Sequence, residues 1–358
     1  MTSLNTLVRP TLTIDGREEA SVISGNVNFP GNNTINTLSV DISDVEKEER
    51  SILGKKIELY LNYDNNEGVP IFRGFVTSYK PSGDKIGIKA SDPRVYLTSQ
   101  LSPSISLTDK DNYDGHSLAQ FLSSYITNYI NTDEIKIGLD MLQDTEPTIS
   151  LKNIREEKIN PYDLVKNRLE EVINEEGGLD DIRKFYCIMV EGNDNSNITF
   201  VKRRSLIETP SFTFSGLDGI QDITYTKRNA PNTAFVSDGT TSGTFKYGNR
   251  PKGFFSKEVQ YNIENKNMTG RAVLERVGMK SILADRAEIS EITLNVNKGV
   301  HIGLESLISI ESGHFSHKDK YIIGNHIVVG KTITFSKSNC NIALKLNKPK
   351  PRLSSYRL

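Results

Sequence analysis

The segment Lys56-Ile57-Glu58-Leu59-Tyr60-Leu61-Asn62-Tyr63 alternates without interruption. In an extended chain successive side chains point to opposite faces, so Ile57, Leu59, Leu61 and Tyr63 share one of them. That pattern marks an antiparallel strand with one face on a core and the other in water. A single strand or hairpin is not stable alone, so the chain must supply more strands around it. Asp64-Asn65-Asn66-Glu67-Gly68 is a turn cluster, and Ile71-Phe72-Arg73-Gly74-Phe75-Val76 returns as the partner strand. Pro81-Ser82-Gly83-Asp84 reads as another turn, and Lys85-Ile86-Gly87-Ile88-Lys89-Ala90 alternates again. Val22, Val27, Leu38, Val40 and Ile42 mark shorter runs upstream. Short strands at regular spacing with Gly, Asn, Asp and Pro turns predict a β-barrel or sandwich over the first hundred residues.

Between about Pro103 and Pro210 the texture changes. Asp114-Gly115-His116-Ser117 can cap a helix whose apolar face is Leu118, Phe121, Leu122, Tyr125, Ile126, Tyr129 and Ile130. Asn160-Pro161 opens a second helix, which carries Leu164, Val165, Leu169, Val172 and Ile173 and stops at Gly177-Gly178. Phe185–Val190 and Asn197–Val201 flank a polar turn and read as a hairpin. From Ser211 strands return at Phe212–Phe214, Ile223–Tyr225 and Ala234–Val236. A helical stretch over roughly Met268–Ala284 follows. Further strands are expected around Ile292–Val296, Leu307–Ile310, Tyr321–Val329, Thr332–Phe335 and Ile342–Leu346.

One internal comparison bears on domain number. Leu59, Leu61 and Phe72 follow Gly54 at the same distances at which Ile308, Ile310 and Tyr321 follow Gly303. A chain of 358 residues has room for two or three domains. The expectation is a β-rich α+β protein with two similar antiparallel barrels and an α+β unit between them. The expected division is residues 1–104 for the first barrel, 105–210 for the insertion and 211–347 for the second barrel. The basic, proline-broken residues 348–358 form a tail.

Composition narrows the function. The 44 Lys+Arg against 45 Asp+Glu exclude a strongly basic nucleic-acid binder. Cys187 and Cys340 are too few for a disulfide scaffold or a thiolate zinc site and read as small buried hydrophobes. Met1-Thr2-Ser3-Leu4-Asn5 lacks a basic and an apolar signal region, and no apolar run reaches the ~20 residues of a membrane helix. The expectation is therefore folding in a cytoplasm without a membrane anchor.

Histidine is the natural place to seek catalysis, because it titrates near neutrality. His314 and His317, with Asp319 and His326, could supply metal ligands, but a strand–turn–strand setting places the first two in a solvated loop. Glu170, Glu171, Glu175, Glu176, Asp180 and Asp181 raise the question of a glycosidase pair. So many acids in so short a stretch read instead as a solvated face. Gly54-Lys55-Lys56 lacks the remainder of a phosphate loop, and Gly239–Gly243 and Gly248–Gly253 lack a strand-to-helix setting. Lys202-Arg203-Arg204 lacks the aromatic interleaving of a nucleic-acid surface. No catalytic, cofactor-binding or metal-ligating residue is assigned, and no cofactor is expected.

The ordered layout nevertheless resembles one family. Ile14-Asp15-Gly16-Arg17, the strand led by Gly54, the phrase Phe72-Arg73-Gly74-Phe75-Val76 and Ala90-Ser91-Asp92 to Leu97 are similar to the first barrel of phage-tail hub proteins and related contractile injection systems. Asn160-Pro161-Tyr162-Asp163-Leu164 resembles the family's insertion. Asn232–Val236, Arg271-Ala272-Val273-Leu274, Gly303–Ile310 and Tyr321-Ile322-Ile323-Gly324-Asn325-His326-Ile327 resemble its second barrel. Val300–Glu305 lacks the proline of the Pro-Gly-Asp phrase frequent there.

The resemblance implies a non-enzymatic structural hub of the virion tail or baseplate, assembled in the host cytoplasm. It implies a homotrimeric ring of six pseudo-equivalent barrels that adapts a sixfold tail tube to a threefold spike. The implied partners are further copies of the chain, tail-tube protein, spike, tape-measure protein and surrounding baseplate proteins. DNA passage through the lumen is the one nucleic-acid contact allowed. The alternatives are a receptor- or glycan-binding tail module and a tail-associated cell-wall hydrolase using the acidic cluster.

Overall fold

A computed structural model describes residues 8–19, 21–31, 34–43, 51–62, 68–98, 105–107, 123–130, 136–138, 156–163, 187–191, 198–202, 209–215, 220–227, 233–237, 240–246, 256–260, 274, 278, 289–311 and 322–347. The first seven strands are β1 (Arg9–Ile14), β2 (Arg17–Glu19), β3 (Val22–Phe29), β4 (Thr37–Ser43), β5 (Lys56–Asn62), β6 (Pro70–Ser82) and β7 (Lys85–Ser91). The alternation that predicted β5 does what it implies: Ile57, Leu59 and Leu61 are fully buried, while Lys56 is exposed. On the other face, Glu58 sits 3.1 Å from Lys56 and 3.5 Å from Arg73, and accepts a 2.9 Å hydrogen bond from Tyr60. Partial burial acts to raise the Glu58 carboxyl. The hydrogen bonds from Lys56 and Tyr60 and the charges of Lys56 and Arg73 outweigh it, so its pKa lies below the ordinary value.

Strand β6 runs past the expected Val76 end. Pro81 and Ser82 belong to it, and the turn is Gly83-Asp84, with Gly83 at φ 62°.

The middle of the chain contributes β8 (Ile105–Leu107) paired with β9 (Glu156–Ile159), and the hairpin β10 (Cys187–Glu191) with β11 (Ile198–Lys202). Of the first expected helix, Ser123–Tyr125 is α-helical and Ile126–Ile130 is a π-turn, with Tyr125 and Ile126 buried. Leu118, Phe121 and Leu122 lie outside the described residues. Asn160 caps the second helix as expected: its Oδ1 accepts the Asp163 N–H at 2.8 Å. Leu164 onward lies outside the described residues.

The last strands are β12 (Phe212–Phe214), β13 (Ile220–Lys227), β14 (Thr233–Ser237), β15 (Ser242–Lys246), β16 (Ser256–Gln260), β17 (Ile289–Val296), β18 (Leu307–Ile310), β19 (Gly324–Ser336) and β20 (Cys340–Asn347). Strands β14–β16 form a separate small sheet. Within the expected helix over Met268–Ala284, Leu274 and Gly278 are helical and Leu274 is buried. The two strands expected at Tyr321–Val329 and Thr332–Phe335 are one 13-residue strand, β19. Gly330 lies inside it, beside a bulge.

Two sets of six strands share one wiring. The first runs β1-β5-β6-β7-β4-β3 and the second β12-β18-β19-β20-β17-β13, each in the same chain order. The pairing registers also correspond. Lys56↔Phe75, Ile57↔Gly74 and Leu59↔Phe72 in the first match Leu307↔Ile327, Ile308↔His326 and Ile310↔Gly324 in the second. Bulges recur at equivalent places. One lies between Val76 and Ser78 in β6 and between Val328 and Gly330 in β19. The other lies between Val22 and Ser24 in β3 and between Ile220 and Asp222 in β13.

The equivalence is shifted from the one read in the sequence. Gly54 corresponds to Glu305, not to Gly303. Each donates its N–H to the same point of the long strand, Val76 or Val328, and each has a positive φ, 72° and 61°. Phe72 therefore matches Gly324, while Tyr321 lies outside the described residues. The two sets differ in their first strand: β1 is antiparallel to β5, whereas β12 is parallel to β18.

Strands β3 and β19 pair, so both sets belong to one 13-stranded sheet. Its apolar side is a single core that contains Val27, Phe29, Val40, Ile88, Leu294, Ile333, Phe335 and Leu344.

Candidate assembly interface

The junction between the two barrels is a seam of six residue pairs, from Lys331↔Phe29 to Ser336↔Ser24. Each long strand makes such a seam possible. The first part of β19 pairs with β18, and past the bulge the same edge is free to take β3. The Ser336 N–H donates to the Asn339 carbonyl at 2.8 Å, which sets the alternation of the β19–β20 hairpin. By that alternation the backbone groups of Ile333 and Phe335 turn away from β20 toward β3.

Small residues let the strands approach. Gly31 lies at φ 73°, where a Cβ would stand 1.8 Å from the Val329 carbonyl oxygen. At Gly25, opposite Phe335, a Cβ would meet that ring at 2.7 Å.

The seam also holds a buried cation. The Lys331 Nζ donates to the carbonyls of Val300 at 3.1 Å and Ile302 at 2.7 Å, and lies 4.6 Å from the centre of the Phe29 ring. On the polar side, Thr332 Oγ1 donates to Asn28 Oδ1 across the seam at 3.1 Å.

A second buried polar cluster fixes the end of the first barrel. Asp92 caps the short 3-10 helix Pro93–Leu97, and its carboxylate accepts the Arg94 N–H at 2.9 Å and the Asn36 N–H at 2.6 Å. The Arg94 guanidinium closes on the same carboxylate at 2.5–3.1 Å, with both side chains essentially inaccessible. The Asp92 N–H donates back to the Asn36 carbonyl at 3.1 Å, so the exit of β7 is locked to the entry of β4. Tyr162, from the start of the second helix, is buried close enough to feel both charges. Burial pushes its phenol up to about 12.

The duplicated wiring leaves two surfaces equivalent to the halves of the seam. One is the stretch Tyr79–Ser82 of β6, equivalent to Lys331–Thr334 and exposed throughout, with Tyr79 37% accessible. The other is β13, the equivalent of β3 and the last strand of the sheet among the described residues, which exposes Asp222 and Thr224.

Of the residues weighed for chemistry, few lie among the described residues. His326 is fully buried in β19, inside the stretch expected as a strand, with Nε2 2.5 Å from the Ile322 carbonyl. His301 is exposed beside the Phe212 ring. His314, His317, Asp319, the acids at 170–181, Arg203 and Arg204 lie outside the described residues. Cys340 is buried, as expected of a small hydrophobe. Among the described residues no group of three His, Cys, Asp or Glu is placed to hold a metal, and no helix is long and apolar enough to cross a membrane.

Sequence reasoning missed Gly31 and Lys331. Lys331 had a usable signal, since it occupies a core-facing position in register with Ile333 and Phe335. The resemblance had picked out Asp92 as the end of a strand, but not as a buried clamp.

No family model and no curated protein matches the sequence. Solved structures do match. A tail protein from Neisseria meningitidis MC58 superposes with a TM-score of 0.67 at 12% identity, over 97% of this chain and 98% of that one. The 43 kDa tail protein of prophage MuSo2 from Shewanella oneidensis gives 0.66 at 10% identity, over 95% and 98%. The E. coli c3393 protein, a type VI secretion component with structural similarity to T4 bacteriophage tail proteins, gives 0.58 at 10% identity, over 95% and 78%. At these identities the likeness establishes the fold: this chain is built as phage-tail proteins are built, along nearly its whole length.

Proposed function

We propose that the chain, which has the fold of phage-tail proteins, is the structural hub of a phage tail or related injection machine. Three copies form a ring of six pseudo-equivalent barrels that joins a sixfold tail tube to a threefold spike. One observation carries this reading: a single chain holds two barrels with the same wiring and two bulges in common, already joined edge to edge in one sheet. A ring closes only when each interface repeats by a fixed rotation. Two equivalent barrels per chain double the number of units in the ring while the chains keep threefold symmetry.

In this reading residues 1–104 and 211–347 are the ring-forming units, 105–210 is an insertion between them and 348–358 is a tail. The partners are the tube protein above, the spike below, and tape-measure and baseplate proteins around them. The hub works in the virion tail and is assembled in the host cytoplasm. Its role is geometric, and no catalytic step is assigned to it.

The test is reconstitution. The purified chain, mixed with tube protein and spike from the same tail cluster, is expected to cap one end of the tubes and to seat one spike per ring. Tubes that remain bare at both ends, with the spike unbound, would refute the proposal.

A further inference from the structure

We infer that Lys331 is a positioning residue: its buried ammonium holds the two barrels and the β17–β18 loop in one arrangement, and it serves the uniqueness of that arrangement rather than its stability. The inference deepens the hub reading, and only its ring-size outcome rests on that reading.

Lys331 lies on the core side of β19, two residues from Ile333 and between Leu344 of β20 and Phe29 of β3. Ile333, Phe335 and Leu344 are essentially inaccessible, and Lys331 is buried with them. An aliphatic side chain would satisfy the alternation there, whereas a buried ammonium gives up its hydration. Tyr79, which holds the equivalent place in the first barrel, is exposed, so the shared wiring does not itself require a lysine.

What the lysine adds is direction. Its Nζ donates to the Val300 carbonyl at 3.1 Å and the Ile302 carbonyl at 2.7 Å, and lies 4.6 Å from the centre of the Phe29 ring. One side chain thus joins its own strand, the β17–β18 loop and, from the other barrel, β3. The loop turns at Gly299, at φ 89°, where the Ile302 N–H returns to the Gly299 carbonyl at 3.0 Å. It is tied again where the Glu305 N–H meets the Val328 carbonyl at 2.8 Å. Between the two ties Val300 and Ile302 are buried.

The seam alone leaves an angle open. Neighbouring strands are rotated relative to one another by roughly 10–35°, and strand pairing by itself selects no value within that range. Apolar contact is non-directional, and cores refilled with apolar residues lose uniqueness before they lose stability. Charge-assisted hydrogen bonds to two carbonyls of a tied loop are met in one geometry, and a closed ring needs one geometry at every junction.

The test compares K331M and K331L with wild type in the full-length chain. Both place apolar atoms where the ammonium lies, an exchange that is often neutral or stabilising for buried charges. The urea midpoint is expected to stay at or above that of wild type. Amide hydrogen exchange at Ile302 and Glu305 is expected to quicken by about tenfold or more, as the loop loses its hold, while Ile342 and Leu344 in β20 keep their wild-type rates. A lower midpoint with faster exchange throughout the sheet would make Lys331 an ordinary stabilising residue and overturns the inference. Unchanged exchange at Ile302 and Glu305 overturns it as well.

Native mass spectrometry reads the consequence for assembly. Wild type is expected to give one ring mass and the variants a spread of ring sizes. Variants that give the single wild-type mass overturn the inference and leave the hub reading standing. A wild type that forms no ring overturns the hub reading, and the exchange rates at Ile302 and Glu305 then decide the role of Lys331.

Discussion

Removing the Asp92 carboxylate is expected to unlock the first barrel from its exit. Asp92 and Arg94 are both essentially inaccessible, and the carboxylate also holds the N–H groups of Asn36 and Arg94. Deleting one partner of a buried ion pair costs about 3–5 kcal/mol, because the remaining charge is left uncompensated. Each orphaned N–H adds about 1–3 kcal/mol when taken alone, but groups sharing one network do not sum. For D92A we expect a loss of about 4–5 kcal/mol, a large part of the roughly 5–15 kcal/mol that holds a typical domain together.

The assay is urea unfolding at pH 7, followed by tyrosine fluorescence, since the chain has 14 Tyr and no Trp. With a slope of about 3 kcal/mol/M the midpoint falls by more than about 1 M. D92N tests charge separately from shape and is expected to lose most of the same stability. The double variant D92L/R94M removes both charges and is expected to recover part of the loss. A D92A midpoint within experimental error of wild type, or a D92L/R94M protein less stable than D92A, would refute the clamp.

Three further outcomes are expected. G31A places a Cβ against the Val329 carbonyl at a left-handed φ, and should cost at least about 2 kcal/mol, measured by thermal unfolding; an unchanged melting temperature contradicts the close approach at the seam. Glu58 has a depressed pKa, so its stabilisation is present above the ordinary carboxylate value of 4.5 and is lost as pH falls through the lower folded value. E58Q should thus be slightly less stable than wild type at pH 7, by no more than about 1 kcal/mol for such a solvent-facing pair, with the gap closing at low pH; a gap that widens on acidification contradicts the sign. Purified wild-type chain should clear no zone in a peptidoglycan gel; clearing that disappears when Glu170, Glu171, Glu175 and Glu176 become Gln would instead establish the hydrolase.

Local patterning made the individual strands readable and left their extension and partners hidden. β5 and β7 announce themselves by alternation, and the hairpin of β10 and β11 by its turn. Pro81 looked like a turn residue because proline is a strong breaker, yet an outward-facing edge position tolerates it. Gly330 and Lys331 fell between two expected strands, whereas β19 runs through both with a bulge beside Gly330. The duplication was visible through Gly54 and Gly303 but two residues out of register. The left-handed position is filled by glycine in one barrel and by Glu305 in the other, so residue identity misled where backbone conformation is shared.

The seam itself had no sequence signature. It brings Val27 against Ile333 across almost the whole chain, and nothing in either strand's alternation names its partner. The absence of a convergent catalytic cluster in the sequence reading was an argument from motifs alone. The acids and histidines on which it turned lie mostly outside the described residues, so gel assays carry that question.

The central claim is that one chain with two equivalent barrels builds a six-unit ring from three copies. Light-scattering mass of the purified chain, alone and with its spike, tests it most directly. With a chain of 40.0 kDa the account predicts a ring of about 120 kDa, gaining one spike assembly on mixing. A stable 40 kDa monomer in both conditions, or a ring of six chains near 240 kDa, would contradict it.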